Sequence, residues 1–162
     1  MTRKSKRIIK PSATTATYTG SINTYMETKE KLSPDEFDKI KRNIQDIKLA
    51  LLTTQLQDGS MRSRPMLTRQ LDPDGTMWFY TRENSDKVAQ VRQHPPVALG
   101  FASAEKQVTV SVSGTAEVVK DQAKVDELWD ENVQQWFPEG KDDPNIVLLR
   151  ITTTAGECWS ND

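Results

Sequence analysis

Basic side chains with the spacing of an anion site occur in two neighbouring segments of the chain. Arg64 and Arg69 lie in the strand-like stretch "SRPMLTR", and Lys87 follows in "ENSDK", where a helix is predicted to begin near Ser85. The first turn of a helix presents unpaired N–H groups and the positive end of the helix dipole, which together bind phosphate. Because arginine adds a forked, charged donor, we expect Arg64 and Lys87 to hold a phosphate dianion, with the Ser85 hydroxyl beside them.

These residues also have structural interpretations, which the sequence leaves open. Residues of a strand alternate between its two faces, so the two arginines could form only a solvated face. Ser85 could serve only as a helix cap, and Lys87 could be an ordinary surface residue. The elements that position these side chains therefore decide between the two interpretations.

Composition and charge argue against several classes of function. The 162 residues are 35% hydrophobic and 28% charged, which predicts one globular domain. A formal net charge of -1 gives no general attraction to nucleic acid or to an anionic membrane. The apolar runs are far shorter than the roughly 20 residues of a membrane helix. His94 and Cys158 are the only histidine and cysteine, so a metal site or a histidine-based triad is poorly supported. We expect a cytoplasmic protein with no nucleic-acid or membrane partner.

The opening residues form a segment of distinct composition. They are rich in lysine, arginine, serine and threonine, with no acidic residue before Glu27. Because they lack hydrophobic periodicity, we predict a flexible basic arm over 1–30 and a folded domain over 31–162. An organelle transit peptide, an arm that touches nucleic acid and an arm that covers a partner subunit's cleft remain alternatives.

The hydrophobic pattern predicts a mainly β domain with flanking helices. Apolar residues at helical spacing predict a helix over about 34–47, and two Asp-Gly turns, at 57–60 and 72–76, predict hairpins. The six predicted strands cover about 48–55, 61–70, 76–81, 97–103, 107–119 and 146–154, with a further helix from about 121 to 137. Six strands joined mostly by hairpins indicate a small antiparallel barrel, with Gly114 at a bulge or a close approach of the backbone.

The order of six segments resembles a known family. They are "LALLTTQLQDGSMRSRPM", "GTMWFYTRENSDK", "HPPVALGFAS", "VTVSVSGTAEVV", "ELWDENVQQWFPEGKDDP" and "AGECWSND". Over about residues 34–162 the chain is similar to the general stress protein branch of the pyridoxamine 5'-phosphate oxidase-like, FMN-binding split-barrel proteins. The resemblance implies a six-stranded antiparallel split barrel that pairs into a homodimer, with one FMN in each of two clefts between the subunits.

The resemblance also carries over residues of the cofactor site. Arg64 and Lys87 match positions that hold the FMN phosphate, with Ser85 adding a hydroxyl. A second group matches the strand along the isoalloxazine ring and the segment at the ring edge and ribityl chain; it consists of Ser63, Pro65, Met66, Phe79, Tyr80 and Thr81. Trp159 matches a C-terminal aromatic residue that the partner subunit brings near the flavin, although Cys158 stands where the common family form has an aromatic residue.

The expected activity is flavin chemistry without a defined substrate. Pyridoxamine phosphate oxidases continue past the last strand into a segment with arginine and histidine for the substrate, whereas this sequence stops at Asp162. We therefore expect an FMN-dependent oxidoreductase other than a pyridoxamine phosphate oxidase, with a non-catalytic flavin-binding or flavin-buffering stress protein as the alternative. FAD, a deazaflavin or pyridoxal phosphate are alternative cofactors. No G-x-G-x-x-G fingerprint is present, so a reduced nicotinamide would donate electrons only as a transient partner.

Overall fold

The elements that position the candidate residues come from a computed structural model, which describes the backbone of residues 5–9 and residues 34–160. Its strands are β1 (Ser5–Ile9), β2 (Leu49–Gln55), β3 (Met61–Leu67), β4 (Gln70–Leu71), β5 (Thr76–Arg82), β6 (Pro96–Ser103), β7 (Val108–Val119) and β8 (Ile146–Trp159). Its helices are α1 (Pro34–Ile47), α2 (Asp86–Gln93), α3 (Gln122–Leu128) and α4 (Glu131–Gln134). The mainly β fold and the helix predicted over 34–47 are confirmed.

The strands form one antiparallel sheet that curls into a barrel. Their order is β3-β2-β6-β7-β8-β5-β4, and β1 pairs with β8 beside this series. The two ends of the series, β3 and β4, are joined through Thr68 and Arg69 alone. Thr68 N donates to Lys48 O at 2.9 Å, and Arg69 N donates to Trp78 O at 2.8 Å. The chain thus crosses at this corner from the β2 side of the sheet to β5.

The corner at Thr68 and Arg69 corrects one strand prediction. A single strand over 61–70, lying beside the strand that ends at Thr81, was expected. Instead β3 pairs only with β2, and β5 pairs with β4 and β8. Pro65 lacks an N–H group, which suits the free edge of β3. The chain turns at this corner with no strand pairing between β3 and β5 among the described residues, so the barrel is split there. Local β propensity does not reveal this turn.

The predicted helix over about 121–137 is divided into α3 and α4. Asp121 caps the start of α3, since its Oδ1 accepts from Lys124 N at 3.2 Å. Asp130 then starts a new helix, because its Oδ1 accepts from Asn132 N at 2.9 Å and from Val133 N at 3.0 Å. None of the helices in the described part of the chain is long and apolar enough to cross a membrane.

Three further sequence predictions meet different outcomes. Gly114 lies at a shift of register between β7 and β8, and a Cβ there would stand 2.7 Å from Thr152 O, so the predicted close approach is confirmed. Within the described residues the sheet has eight strands against the six predicted, since β1 and β4 are additional and β8 runs on to Trp159. The arm predicted over 1–30 lies outside the described residues except for the backbone of β1.

Two hydrophobic clusters support the barrel. The larger fills its interior and includes Leu52, Met77, Phe79, Leu99, Phe101 and Ile151. The smaller joins the other face of β5 and β8 to α3 and α4, and includes Trp78, Val125, Leu128, Phe137 and Leu148. Alternate residues of β5 therefore enter different clusters, as strand geometry requires. The second cluster holds the α4 segment beside the end of β5, where α2 also begins.

Candidate functional site

A cleft of about 430 Å³ lies where β3, β5, α2 and α4 meet. Pro65, Met66, Leu67, Val133, Trp136 and Phe137 are among its apolar lining residues, and Thr81, Ser85 and Lys87 are among the polar ones. A concave, mostly apolar site with a few polar groups at one side is typical of sites for small molecules and cofactors. The sequence-predicted residues Pro65, Met66, Tyr80, Thr81, Ser85 and Lys87 all line this cleft.

The polar side of the cleft is built at the start of α2. Lys87 Nζ donates to Thr81 Oγ1 at 3.1 Å, and Thr81 Oγ1 lies 3.3 Å from Ser85 Oγ. Ser85 occupies the N-cap position of α2 but makes no capping bond with its side chain. The first N–H groups of α2 have no acceptor within the helix. An ammonium, two hydroxyls and a helix start therefore converge on one point, as an anion site requires.

Arg64 does not line the cleft, although its charge acts on Lys87, and it is held by residues that the sequence did not single out. Its Nη1 donates to Thr54 Oγ1 at 2.5 Å and its Nη2 to Gln90 Oε1 at 2.9 Å. Thr54 Oγ1 also donates to Gln90 Oε1 at 2.6 Å, and Thr54 is fully buried. Gln90 follows Lys87 by three residues, which is one helical turn. This spacing is the sequence feature that could have indicated Gln90 as a site residue. The network fixes the guanidinium in one orientation.

Arg64 and Lys87 repel each other, and neither is neutralised by an ion pair within the described residues. Burial, followed by the charge of Arg64, lowers the pKa of Lys87. Burial, followed by the charge of Arg62, lowers the pKa of Arg64. Asp86 acts in the opposite direction on both pKa values, yet no ion pair joins Arg64 or Lys87 to a residue in the described ranges. An anion bound between them would remove this repulsion and recover charge-assisted hydrogen bonds.

Binding of an anion at this point should weaken at alkaline pH. Only the charged form of Lys87 attracts the anion, and its lowered pKa means that the charge is lost at a lower pH than for an ordinary lysine. Titrations of FMN between about pH 7 and pH 10 should therefore show a falling affinity. Lys87→Arg should retain binding and flatten this profile, because arginine stays protonated throughout. Identical profiles for the two proteins would show that Lys87 does not meet the anion.

Tyr80 forms part of the cleft wall with its hydroxyl already committed. Its Oη donates to Val125 O at 2.5 Å, and its ring packs edge-on against Trp129 with centroids 5.9 Å apart. Burial raises the pKa of Tyr80 to about 12. The residues that line the cleft include no carboxylate and no histidine among those the structure describes. Proton transfer by a carboxylate or an imidazole therefore has no candidate among these residues, and Lys87 is the cleft side chain whose lowered pKa leaves it able to exchange a proton.

The remaining sequence-predicted residues lie away from the cleft surface. Phe79 is fully buried in the barrel interior, so its side chain does not line the cleft. Ser63 is exposed on β3 with its Oγ 2.7 Å from Thr53 Oγ1. Trp159 ends β8, roughly 40 Å along the strand from Val147, the partner of Thr81, at about 3.3 Å per residue. Within one subunit Trp159 is therefore not brought to the cleft.

Arg69 and Trp136 also line the cleft, and neither was assigned to the cofactor site from the sequence. Arg69 pairs with Asp130 at the start of α4, while its buried Nε has no hydrogen-bond partner within the described part of the chain. Trp136 lines the cleft and is 73% exposed. The break at Asp130 turns Trp136 outward, whereas Trp129 and Phe137 remain in the second cluster.

Comparison with known proteins identifies the family. The sequence profile described as "Pyridoxamine 5'-phosphate oxidase like" matches residues 35–162. The chain belongs to the pyridoxamine 5'-phosphate oxidase-like family. General stress protein 26 of Bacillus subtilis (strain 168) is 31% identical to this family member over 124 residues, which span 69% of this chain and 82% of that protein.

Crystal structures of similar proteins agree with the fold. The general stress FMN/FAD binding protein from Xanthomonas citri superposes with a TM-score of 0.70 at 29% identity, over 80% of this chain and 92% of that one. A protein related to general stress protein 26 from Clostridium acetobutylicum superposes with a TM-score of 0.71 at 20% identity, over the same shares of the two chains. The split barrel expected for this family member is confirmed.

Proposed function

We propose that this member of the family binds a flavin, with FMN held chiefly through its phosphate by Arg64, Ser85 and Lys87. The observation that carries the proposal is the pair of partly buried cations without an ion pair among the described residues, beside a Ser85 hydroxyl that makes no capping bond to α2. The Thr54 and Gln90 network fixes the Arg64 guanidinium, whose charge acts on Lys87. The proposal is also supported by the description of the similar Xanthomonas citri protein as FMN/FAD binding.

The apolar part of the cleft suits the isoalloxazine ring. Pro65 offers apolar surface on the exposed side of β3, and the adjacent Met66 lines the cleft from the nearly buried opposite side of that strand. Thr81 offers a hydroxyl at the junction between the ring side and the phosphate side. Phe79 contributes only by packing beneath β5, and Ser63 by its place on β3. Trp159 reaches a cleft in this proposal only from the partner subunit.

The proposed activity is that of an FMN-dependent oxidoreductase. A bound flavin supplies the capacity to accept and donate electrons, and the protein supplies binding, orientation and exclusion of water. Because the described cleft residues include Lys87 but no carboxylate or histidine, a donor that transfers hydride directly, such as a reduced nicotinamide, fits the site better than a substrate that must first lose a proton to a carboxylate or an imidazole. The same observation favours, as the second candidate, a flavin-binding protein without turnover.

One experiment separates these possibilities. The purified protein should show a flavin absorption spectrum, which anaerobic NADH or NADPH should bleach. Bleaching by a chemical reductant but by neither nucleotide would favour the non-catalytic candidate. A protein that copurifies without flavin and does not quench the fluorescence of added FMN would overturn flavin binding altogether.

The proposal includes a homodimer that completes the cleft. The outer face of β2 and β3 carries exposed apolar side chains, with Leu49 55% exposed and Leu51 50% exposed. They stand directly opposite Leu67 and Pro65 in the sheet register. Leu49, Pro65 and Leu67 also line the cleft, so the apolar face and the cleft form one continuous surface. A second copy of the chain seated on this face would bury it and close the cleft, in line with isologous pairing.

Leu51→Asp should break this dimer. A carboxylate placed twice at a two-fold interface adds like charges to a desolvated surface, so the mass measured by light scattering should fall to that of one chain at micromolar concentration. FMN affinity should fall with it. Thr115→Asp, at an exposed position of β7, is the matched control and should leave the mass unchanged. A dimer that persists in Leu51→Asp would place the interface elsewhere.

The proposal assigns residues 31–162 to the flavin-binding domain and residues 1–30 to a basic arm. It places the protein in the cytoplasm, where flavin and reduced nicotinamide meet, and the single Cys158 is compatible with a reducing compartment. Neither a nucleic acid nor a membrane is included among its partners.

A further inference from the structure

Three basic side chains line the cleft within the described part of the chain. Lys87 belongs to the proposed phosphate site at the start of α2. Arg82 is held by the protein, because its Nη1 donates to Asp143 Oδ2 at 3.3 Å and its Nη2 donates to Trp136 O at 3.0 Å. Arg69 is therefore the remaining cation, and it has no role in the proposed phosphate site.

Arg69 keeps hydrogen-bond donors that no described residue accepts. Its Nη2 donates to Asp130 Oδ2, which leaves Nη1 and Nε without an acceptor among residues 34–160. Thr68 Oγ1 is also buried without a partner in these residues, but Thr68 does not line the cleft. A donor that is withdrawn from water without an acceptor destabilises the protein, so an acceptor on a ligand in the cleft would recover the lost hydrogen bond.

Arg69 lies at the other end of the cleft from Lys87. Its backbone N donates to Trp78 O at 2.8 Å, which places it beside the middle of β5. Lys87 donates to Thr81, three residues further along that strand. At about 3.3 Å per residue, the two ends are roughly 10 Å apart. A ligand with its phosphate at Lys87 and its ring along β3 therefore extends towards Arg69.

The positive charge of Arg69 is only partly cancelled by Asp130. The arginine side chain is 13% exposed, whereas the aspartate side chain is 44% exposed. Water therefore screens the carboxylate more strongly than the guanidinium. The Asp130 carboxylate is also shared, since its Oδ1 accepts from Asn132 N and Val133 N at the start of α4. This end of the cleft thus keeps a positive potential and a fixed donor.

We propose that Arg69 is a further binding residue for the flavin, which donates a hydrogen bond to a carbonyl oxygen at the ring end and holds the reduced form more tightly than the oxidised form. The inference rests on the proposed function, because the phosphate at Lys87 sets the direction of the ring. It extends that function by assigning the tuning of the flavin potential to a residue outside the phosphate site.

The physical reason for this preference is electrostatic. The carbonyl-bearing end of a flavin ring gains negative charge when the ring is reduced, and a cation beside it stabilises that charge. A hydrogen bond to a charged acceptor is stronger than one to a neutral carbonyl by about the free energy of a tenfold change in an equilibrium constant. For a two-electron couple, a tenfold change corresponds to about 30 mV in midpoint potential. Arg69 should therefore raise the midpoint potential by about this amount.

Midpoint potentials of the FMN-loaded protein, measured by anaerobic reduction against reference dyes, test this assignment. Arg69→Gln should lower the potential by about 30 mV, because it removes the charge but keeps a donor. Arg69→Lys keeps the charge and should retain most of the potential. Asp130→Asn removes the opposing charge and keeps a capping side chain for α4, so it should shift the potential in the opposite direction. Arg92→Gln, which breaks the ion pair between Arg92 on α2 and Glu83, is the matched control and should leave the potential unchanged.

The outcomes separate this assignment from the proposed function. FMN binding with the same potential in the wild-type protein and in Arg69→Gln would overturn the role of Arg69 and leave the flavin site intact. Shifts of the same sign in Arg69→Gln and Asp130→Asn would also overturn it, because a disturbed cleft and not a charge would then set the potential. A wild-type protein that binds no flavin would overturn the proposed function itself. Melting curves establish that each variant is folded before its potential is compared.

Discussion

Replacing Phe79 by alanine is expected to lower the free energy of unfolding by about 3 to 5 kcal/mol. The side chain is fully buried in the barrel interior, on the strand that carries Thr81 and Tyr80 to the cleft. Truncation removes its buried apolar surface and leaves a cavity in the barrel interior, because β5 is held in register by β8 and cannot move in to fill it. The melting temperature should fall by roughly 10 °C or more.

Urea unfolding of Phe79→Ala measures this loss, and Trp136→Ala provides the matched control. Trp136 is also aromatic but is 73% exposed, so its removal should change stability by less than about 1 kcal/mol. A loss below about 1 kcal/mol for Phe79→Ala would contradict the buried position of this side chain. Stabilisation of the variant against unfolding when FMN is added would show that the proposed flavin site still forms when the core is weakened.

Arg64→Ala is expected to weaken FMN binding by roughly ten- to a hundredfold. Hydrogen bonds that involve a charged group contribute about 1.5 to 3 kcal/mol, which corresponds to this range. The arginine is already oriented by Thr54 and Gln90, so little entropy is lost when its fork meets the phosphate. Thr54→Val, which removes one of these contacts and keeps the shape of the side chain, should cause a smaller loss.

Riboflavin and a second arginine supply the controls for Arg64→Ala. Riboflavin lacks the phosphate, so it should bind weakly to the wild-type protein and equally weakly to the variant. Arg92 lies on α2 and pairs with Glu83 at 2.6 Å, and Arg92→Ala should leave FMN affinity unchanged. Equal affinities of the wild-type protein for FMN and riboflavin would remove the phosphate from the proposed site.

Local signals predicted most of the elements in this fold. The helix over Pro34–Ile47 and the stop of α2 before two prolines follow from hydrophobic spacing and backbone restriction. The Asp-Gly turns are also local, since Gly59 and Gly75 adopt φ of 85° and 88°. The corner at Thr68 and Arg69 has no such local signal, because the chain turns there in order for β4 to pair with β5. No property of the segment 61–70 by itself reveals which strand will lie beside it.

The residues of the candidate site that are close together in the sequence could be predicted. The residues that only the folded barrel brings together could not. Ser85 and Lys87 share one helix start with Thr81 just before it, so sequence order alone places them together. Thr54 and Gln90 reach Arg64 from β2 and from the second turn of α2. Their roles depend on the register of β2 against β3 and on the packing of α2, which a pattern of residue types does not encode.

The position of β8 sets an order of events during synthesis. β8 follows all the other strands in the chain, yet it is the strand with which both β5 and β7 pair along most of their length. Ribosomes add about 5 to 20 residues per second, so β5 emerges several seconds before its main partner. During that interval the nascent chain holds Thr81, Ser85 and Lys87 on a strand and helix that lack their final neighbour. Loading of the proposed flavin site consequently has to follow the release of residues 146–159 from the ribosome, and a nascent chain arrested before them should retain no flavin.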